Sequence, residues 1–149
     1  METIEWFINN VIVDNIKTMV NTDKLQYLSF GVMASMIEFM GACLDNDDFY
    51  KTGISRGRFI RAINEIKAFS KYRKCNDGGD HDLYNNLRCG MVHLGRPGKG
   101  ISFTEKSNTS DHDNHLRICT VNEKIKKLIL VCEDLYSDLS KAAKELLKK

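Results

Sequence analysis

Arg88 and His93 stand five positions apart in the run Arg88-Cys89-Gly90-Met91-Val92-His93, just ahead of Gly95. A guanidinium holds phosphate with a planar fork of donors. An imidazole moves protons near neutral pH. Together they suffice to cut RNA without a metal: Arg88 would stabilise charge on the phosphate, and His93 would act as general base or acid. His93 falls in the last turn of a helix, where the dipole favours an imidazolium. On an ideal helix the two side chains lie about 140° apart, so one helix alone makes a poor site. Two such helices meeting across a two-fold axis would make a better one.

Other residues gather round that pair. Asp82, Asn86, Cys89 and His93 share one helical stripe, and Tyr84 and Arg88 share the next. Glu38 is a lone carboxylate on an otherwise apolar helix, which is costly unless it is paired. Arg88 is its natural partner, so Glu38, Tyr84, Asn86 and Cys89 are read as supporting residues. Lys51 to Lys74 carries eight cationic side chains against the single Glu65. Arg56, Arg58, Arg61, Lys71, Arg73 and Lys74 are its candidate RNA contacts, and Arg96 and Lys99 form a basic lip after the histidine. The alternative is a solvated face beside the acidic runs Asp45–Asp48 and Asp77–Asp82.

Two rival sites are weaker. Asp111-His112-Asp113-Asn114-His115 offers metal-ligand types, but in a polar loop with no ligand from a rigid element. Cys89 and His93 are spaced as nucleophile and base, without a third orienting group. There is no glycine-rich phosphate loop, dinucleotide fingerprint or His-Glu metal motif. No metal and no cofactor are therefore expected.

The elements that must position these residues are mostly helical. Periodicity predicts helices over about Thr3–Val20, Lys24–Leu44, Ser55–Lys71, Asp80–Leu94 and Asn122–Lys148, with a loop over 72–80. Ile101–Glu105 and Leu116–Val121 alternate like the strands of a hairpin with a long tip. The expected fold class is mainly α: a bundle of four or five helices with a small β-hairpin between the last two. In the second helix Gly31, Ala34 and Gly41 share a stripe with Glu38, so another helix should come close there.

The chain has 149 residues and a formal net charge of +2. That length suits one domain with a real core, and that charge is too small to imply a nucleic-acid partner by itself. Five cysteines, an odd number with no C-x-x-C pair, suggest reduced thiols in a cytoplasm. The acidic start Met1-Glu2-Thr3-Ile4-Glu5 does not read as a secretory signal. Leu25–Leu44 is long enough to span a membrane but carries Gln26, Ser29, Ser35 and Glu38, so a buried core helix is the better reading.

With an Arg and a His near the end of a late helix, a long apolar second helix and a terminal helix, the chain resembles the HEPN superfamily (higher eukaryotes and prokaryotes nucleotide-binding). The resemblance covers most of the chain and rests on Arg88 and His93 as the short form of that family's motif. It implies a small helical homodimer with the motifs at the interface. It also implies metal-independent endoribonuclease activity of toxin–antitoxin or phage-defence type, with an antitoxin or other protein as a further partner. In the family the residue after the Arg is usually polar; here it is Cys89. That departure points to the alternative, a non-catalytic module of the same fold that binds RNA, a nucleotide or a protein.

Overall fold

Thr3 opens the first helix by accepting the Trp6 N–H at its Oγ1, 3.1 Å away. That helix, α1, runs through Ile4–Phe7, a π-helical stretch Ile8–Asn15, and Ile16–Val20. Ile8, Ile12, Ile16 and Val20 face the core at four-residue spacing. The computed structural model describes residues 2–149.

Next comes α2, Gln26–Leu44, apolar on most of its circumference. It is long and apolar enough to cross a membrane by composition. Eight of its 19 residues are buried, on a face directed into the core. The close approach expected on its small-residue stripe is present. A Cβ added at Gly41 would lie 1.8 Å from the Arg58 carbonyl oxygen on α3, Ser55–Glu65. Only a glycine lets these two backbones cross at that distance.

α3 stops at Glu65 rather than Lys71; a 3-10 stretch, Lys67–Cys75, that buries Phe69 and Tyr72 replaces its last turns and the first residues of the loop expected over 72–80. The motif helix, α4, has two parts: π-helical Tyr84–Cys89 and α-helical Gly90–Leu94. Gly95 ends it in the left-handed region at φ 64°, as a C′ glycine does.

The C-terminal half corrects the expected fold class. Ile125–Val131 is not the start of the last helix. It is a strand, β3, at the centre of a three-stranded sheet with β1 (Ile101–Thr104) and β2 (Ile118–Val121), in the order β1-β3-β2. The fold is thus α/β with a mixed sheet, not a mainly α bundle. The two predicted strands do not pair with each other. β1 runs parallel to β3 with Ile101 opposite Leu128, and β2 runs antiparallel to it with Val121 opposite Ile125.

The physical reason lies in two signals. Asn122 and Glu123 both adopt positive φ, 52° and 63°, which makes a tight turn of the segment read as a helix cap. Leu128-Ile129-Leu130-Val131 is a contiguous apolar run, buried on both faces as a central strand requires. The spacing of Ile125, Leu128, Ile129 and Cys132 mimics a helix stripe, and sheet pairing overrides it. The last helix, α5, is Cys132–Leu146. One apolar cluster runs from Ile8 to Ala143 and joins the helices to β1 and β3.

Candidate functional site

Helices α2 and α4 meet where Met91 packs on Gly31 and, among the described residues, through one charged contact. Arg88 Nε donates to Glu38 Oε2 at 2.7 Å. Ser55, the first residue of α3, donates from its Oγ to Glu38 Oε1 at 2.6 Å, and Arg88 Nη2 approaches that same Oγ at 3.4 Å. Three helices therefore fix one guanidinium. Burial alone would lower the Arg88 pKa, but the Glu38 carboxylate beside it outweighs this and the net shift is upward. Arg88 and Glu38 are about one-sixth exposed, 16% and 19%. Among the described residues, Arg88 Nη1 has no hydrogen-bond partner.

A groove of about 240 Å³ is lined by the pair itself together with Ser35, Phe39, Phe49, Arg58 and Val92. It offers a cation, apolar walls and an open mouth, a shape able to take a phosphate and part of its attached sugar. His93 does not line it. It is exposed on α4, and among the described residues its side chain makes no hydrogen bond or ion pair. Within one chain the arginine is anchored and the histidine is free.

The supporting residues divide. Tyr84 is flanked by two guanidiniums, Arg56 at 5.2 Å and Arg88 at 5.8 Å from its ring centroid. Burial first, then the thiol of Cys89 next to it, push the Tyr84 phenol upward. Cys89 is a half-buried free thiol beside Tyr84. Asn86 is buried and structural: Nδ2 donates to the carbonyls of Asp80 and Asp82, and Oδ1 accepts the Gly100 N–H at 3.0 Å. It clamps the loop after the motif to the helix that carries it.

The candidate RNA track is largely consumed inside the molecule. Arg58 is buried; its Nε meets Asp45 Oδ2 at 2.7 Å, and Nη1 and Nη2 reach the Phe49 and Asp48 carbonyls at 2.9 and 2.8 Å. That hydrogen bond with Asp45 raises the arginine and lowers the carboxylate. Arg61 pairs with Glu65 at 3.7 Å, Lys71 with Asp138 at 2.7 Å, and Arg56 lies 3.6 Å from Asp82. Arg73 donates to the Ile63 carbonyl at 3.4 Å, and Lys74 borders a small pocket with Cys75 and Asp77.

Free cations lie elsewhere. Arg96 and Lys99 are exposed in the lip. Lys99, Lys124 and Lys126 border a cleft of about 540 Å³ with His81 and Gly100, and among the described residues none of the three is in an ion pair. Lys124 and Lys126 escape a reading of the sequence that places them on a helix; on a strand and its turn they converge on one cleft.

Sequence reasoning also misses Ser55, whose position at a helix start reads as simple capping. It misses a buried relay as well. Val131 N–H donates to His115 Nδ1 at 3.0 Å, so the ring proton of neutral His115 sits on Nε2, 2.8 Å from Tyr72 Oη. Tyr72 in turn donates to Asp138 Oδ2 at 2.7 Å. Burial pushes His115 down to about 4 and raises Tyr72 well above an ordinary phenol. The loop Asp111–His115 therefore separates: His115 turns inward, while His112 contacts Asp113 at 3.1 Å. Among the described residues no three His, Cys, Asp or Glu side chains are grouped to hold a metal ion. Comparison with family models, with curated proteins and with solved structures returned no match.

Proposed function

We propose that this protein is a HEPN-like, metal-independent endoribonuclease whose site is completed by a second copy of the chain. The observation that carries the reading is Arg88 itself. Glu38 anchors it through Nε, Arg88 helps to line a groove, and among the described residues its Nη1 has no hydrogen-bond partner and His93, further along the same helix, is unpaired. Arg88 would bind the phosphate and stabilise its developing charge. His93 of the second copy would take the proton from the attacking 2′-OH or return one to the leaving 5′-oxygen. Exposed Val92, Leu94 and Leu28 give the surroundings of the motif the apolar character of a contact surface. The free cations Arg96, Lys99, Lys124 and Lys126 would hold flanking phosphates. Five unpaired thiols suit a reducing cytoplasm.

The test is RNA cleavage in EDTA by wild type, Arg88→Ala and His93→Ala, each alone and then mixed. Wild type should leave cyclic phosphate ends, and each variant alone should lose at least about a hundredfold in rate. If Arg and His come from different copies, mixing the two dead variants rebuilds one intact site per mixed dimer. About a quarter of wild-type activity should then return. Two dead variants that stay dead when mixed would retire the shared site. A folded, inactive wild type would retire the enzyme.

One observation favours a second reading, a non-catalytic RNA-binding module. Cys89 makes no side-chain hydrogen bond to His93 among the described residues and is a weak hydrogen-bond partner, so it does little to orient His93. RNA binding that survives Arg88→Ala and His93→Ala, with no cleavage by wild type, is its signature.

A further inference from the structure

Beside the His93 end of α4 lies a pocket of about 230 Å³, between the start of α2 and the end of β1. Its walls are aromatic. Phe30 and Phe103 stack at 3.8 Å with their planes 2° apart, and Tyr27 meets Phe103 edge-on at 5.8 Å. Its rim is polar and only partly used. Glu105 Oε1 accepts the Ser107 hydroxyl at 2.7 Å, which leaves Oε2 open. Asn108 Oδ1 accepts the Ser110 N–H at 3.0 Å, which leaves Nδ2 free to donate. The Gln26 amide makes no side-chain hydrogen bond among the described residues. Thr104, a further wall residue, has a buried Oγ1 with no partner. Tyr27 connects the pocket to the motif: its Oη donates to the Gly95 carbonyl at 3.1 Å, two residues past His93.

We propose that this pocket receives the base of an RNA nucleotide next to the cut phosphate, and that it selects guanine. The proposal deepens the ribonuclease reading and rests on it for RNA as the ligand. Aromatic walls with a polar rim are how proteins hold unstacked bases, and the volume suits one planar ring system rather than a drug-sized ligand. The carboxylate repels a phosphate, so the base enters rather than the backbone. A carboxylate is acceptor-only. Among the four RNA bases, guanine alone offers it two adjacent donors, N1–H and N2–H, with O6 beside them to accept from an amide such as Asn108 Nδ2. Adenine and cytosine present one amino group flanked by a ring-nitrogen acceptor, which would face Glu105 with repelling lone pairs. Uracil presents one N–H between two carbonyls.

The experiment titrates isotope-labelled protein with GMP, AMP, CMP and UMP and follows backbone amide shifts, which needs no catalysis. GMP should bind tightest and move the amides of Tyr27, Phe103, Thr104 and Glu105. Glu105→Gln should weaken GMP about tenfold, as loss of a charged acceptor does, and leave AMP within twofold. Asn108→Ala should weaken GMP without altering the carboxylate, and retained spectral dispersion verifies the fold of both variants. Four nucleotides that move these amides equally, or not at all, overturn the proposal, as does a Glu105→Gln variant that binds GMP like wild type. GMP binding here by a protein that leaves RNA intact supports the pocket and sinks the nuclease. Cleavage with no guanine preference and a silent pocket sinks the pocket alone.

Discussion

Two arginine–carboxylate pairs hold α2 to its neighbours, and they differ in how much of the guanidinium is spent. Arg58 gives Nε and Nη2 to Asp45 and both terminal nitrogens to backbone carbonyls of Asp48 and Phe49; it and Asp45 are each 7% exposed. Arg88 gives Nε to Glu38, makes one long contact to Ser55, and has no partner for Nη1 among the described residues, beside a groove that it helps to line. The same chemistry therefore does two jobs. A saturated guanidinium fastens a loop and has nothing left for a ligand. A partly used one is held in place but still has donors to offer, which a phosphate site needs. The difference would be invisible to a count of ion pairs.

The largest expected effect separates the two directly. Arg58→Ala should give the lowest melting temperature of any single variant considered, because it strands the buried Asp45 carboxylate and the Asp48 and Phe49 carbonyls. Arg88→Ala, which leaves Glu38 a hydrogen bond from Ser55, should cost about 2 kcal/mol, well short of Arg58→Ala, and on the proposed function it should abolish RNA cleavage. If Arg88→Ala melts as low as Arg58→Ala, Arg88 is structural and the contrast collapses.

The saturated class extends to the Tyr72–His115–Asp138 relay, and pH sharpens the comparison. His115 is held at about 4 by burial, against about 6.5 in an unfolded chain. Between those values the unfolded state binds a proton that the folded state refuses. The contribution is therefore complete above pH 6.5 and is lost as pH falls toward 4, about 3 kcal/mol in all. Protonation would also force Nδ1 to give up the Val131 N–H. Urea midpoints of wild type and His115→Gln, followed from pH 7 to pH 4, read this out. The variant should show a shallower acid slope, and parallel slopes would remove His115 from the class.

What the sequence reveals of this follows from how local each cause is. The Glu38–Arg88 pair is legible because a carboxylate on the Gly31–Ala34–Gly41 stripe must face a close helix, and one helix wheel places Arg88. The stop at Gly95 is equally local. Arg58 is misread as a candidate RNA contact because its partner lies in the acidic turn before α3, and only the crossing at Gly41 brings them together. β3 is missed because its apolar spacing fits a helix as well as a strand. The choice between them is made by β1, more than twenty residues earlier in the chain, and by two positive-φ residues at the turn. The free lysines of the cleft are lost with it. Asn86 is seen on the right stripe, yet its clamp on Gly100 depends on a loop path that no periodicity encodes.

The smallest effect tests whether the carboxylate anchors Arg88 or merely neighbours it. Glu38→Ala leaves both Arg88 Nε and the Ser55 hydroxyl without their acceptor, in a site only about one-fifth exposed, and should cost about 1–2 kcal/mol. Glu38→Gln keeps a carbonyl oxygen for Arg88 Nε and an amide that Ser55 can accept from, so it should lose less than half as much. Cleavage should follow the same order, because a guanidinium that swings freely binds phosphate less productively. Melting temperatures equal to wild type for both variants would mean that water already satisfies Arg88, and the distinction between a fastened and an offered arginine would no longer rest on Glu38.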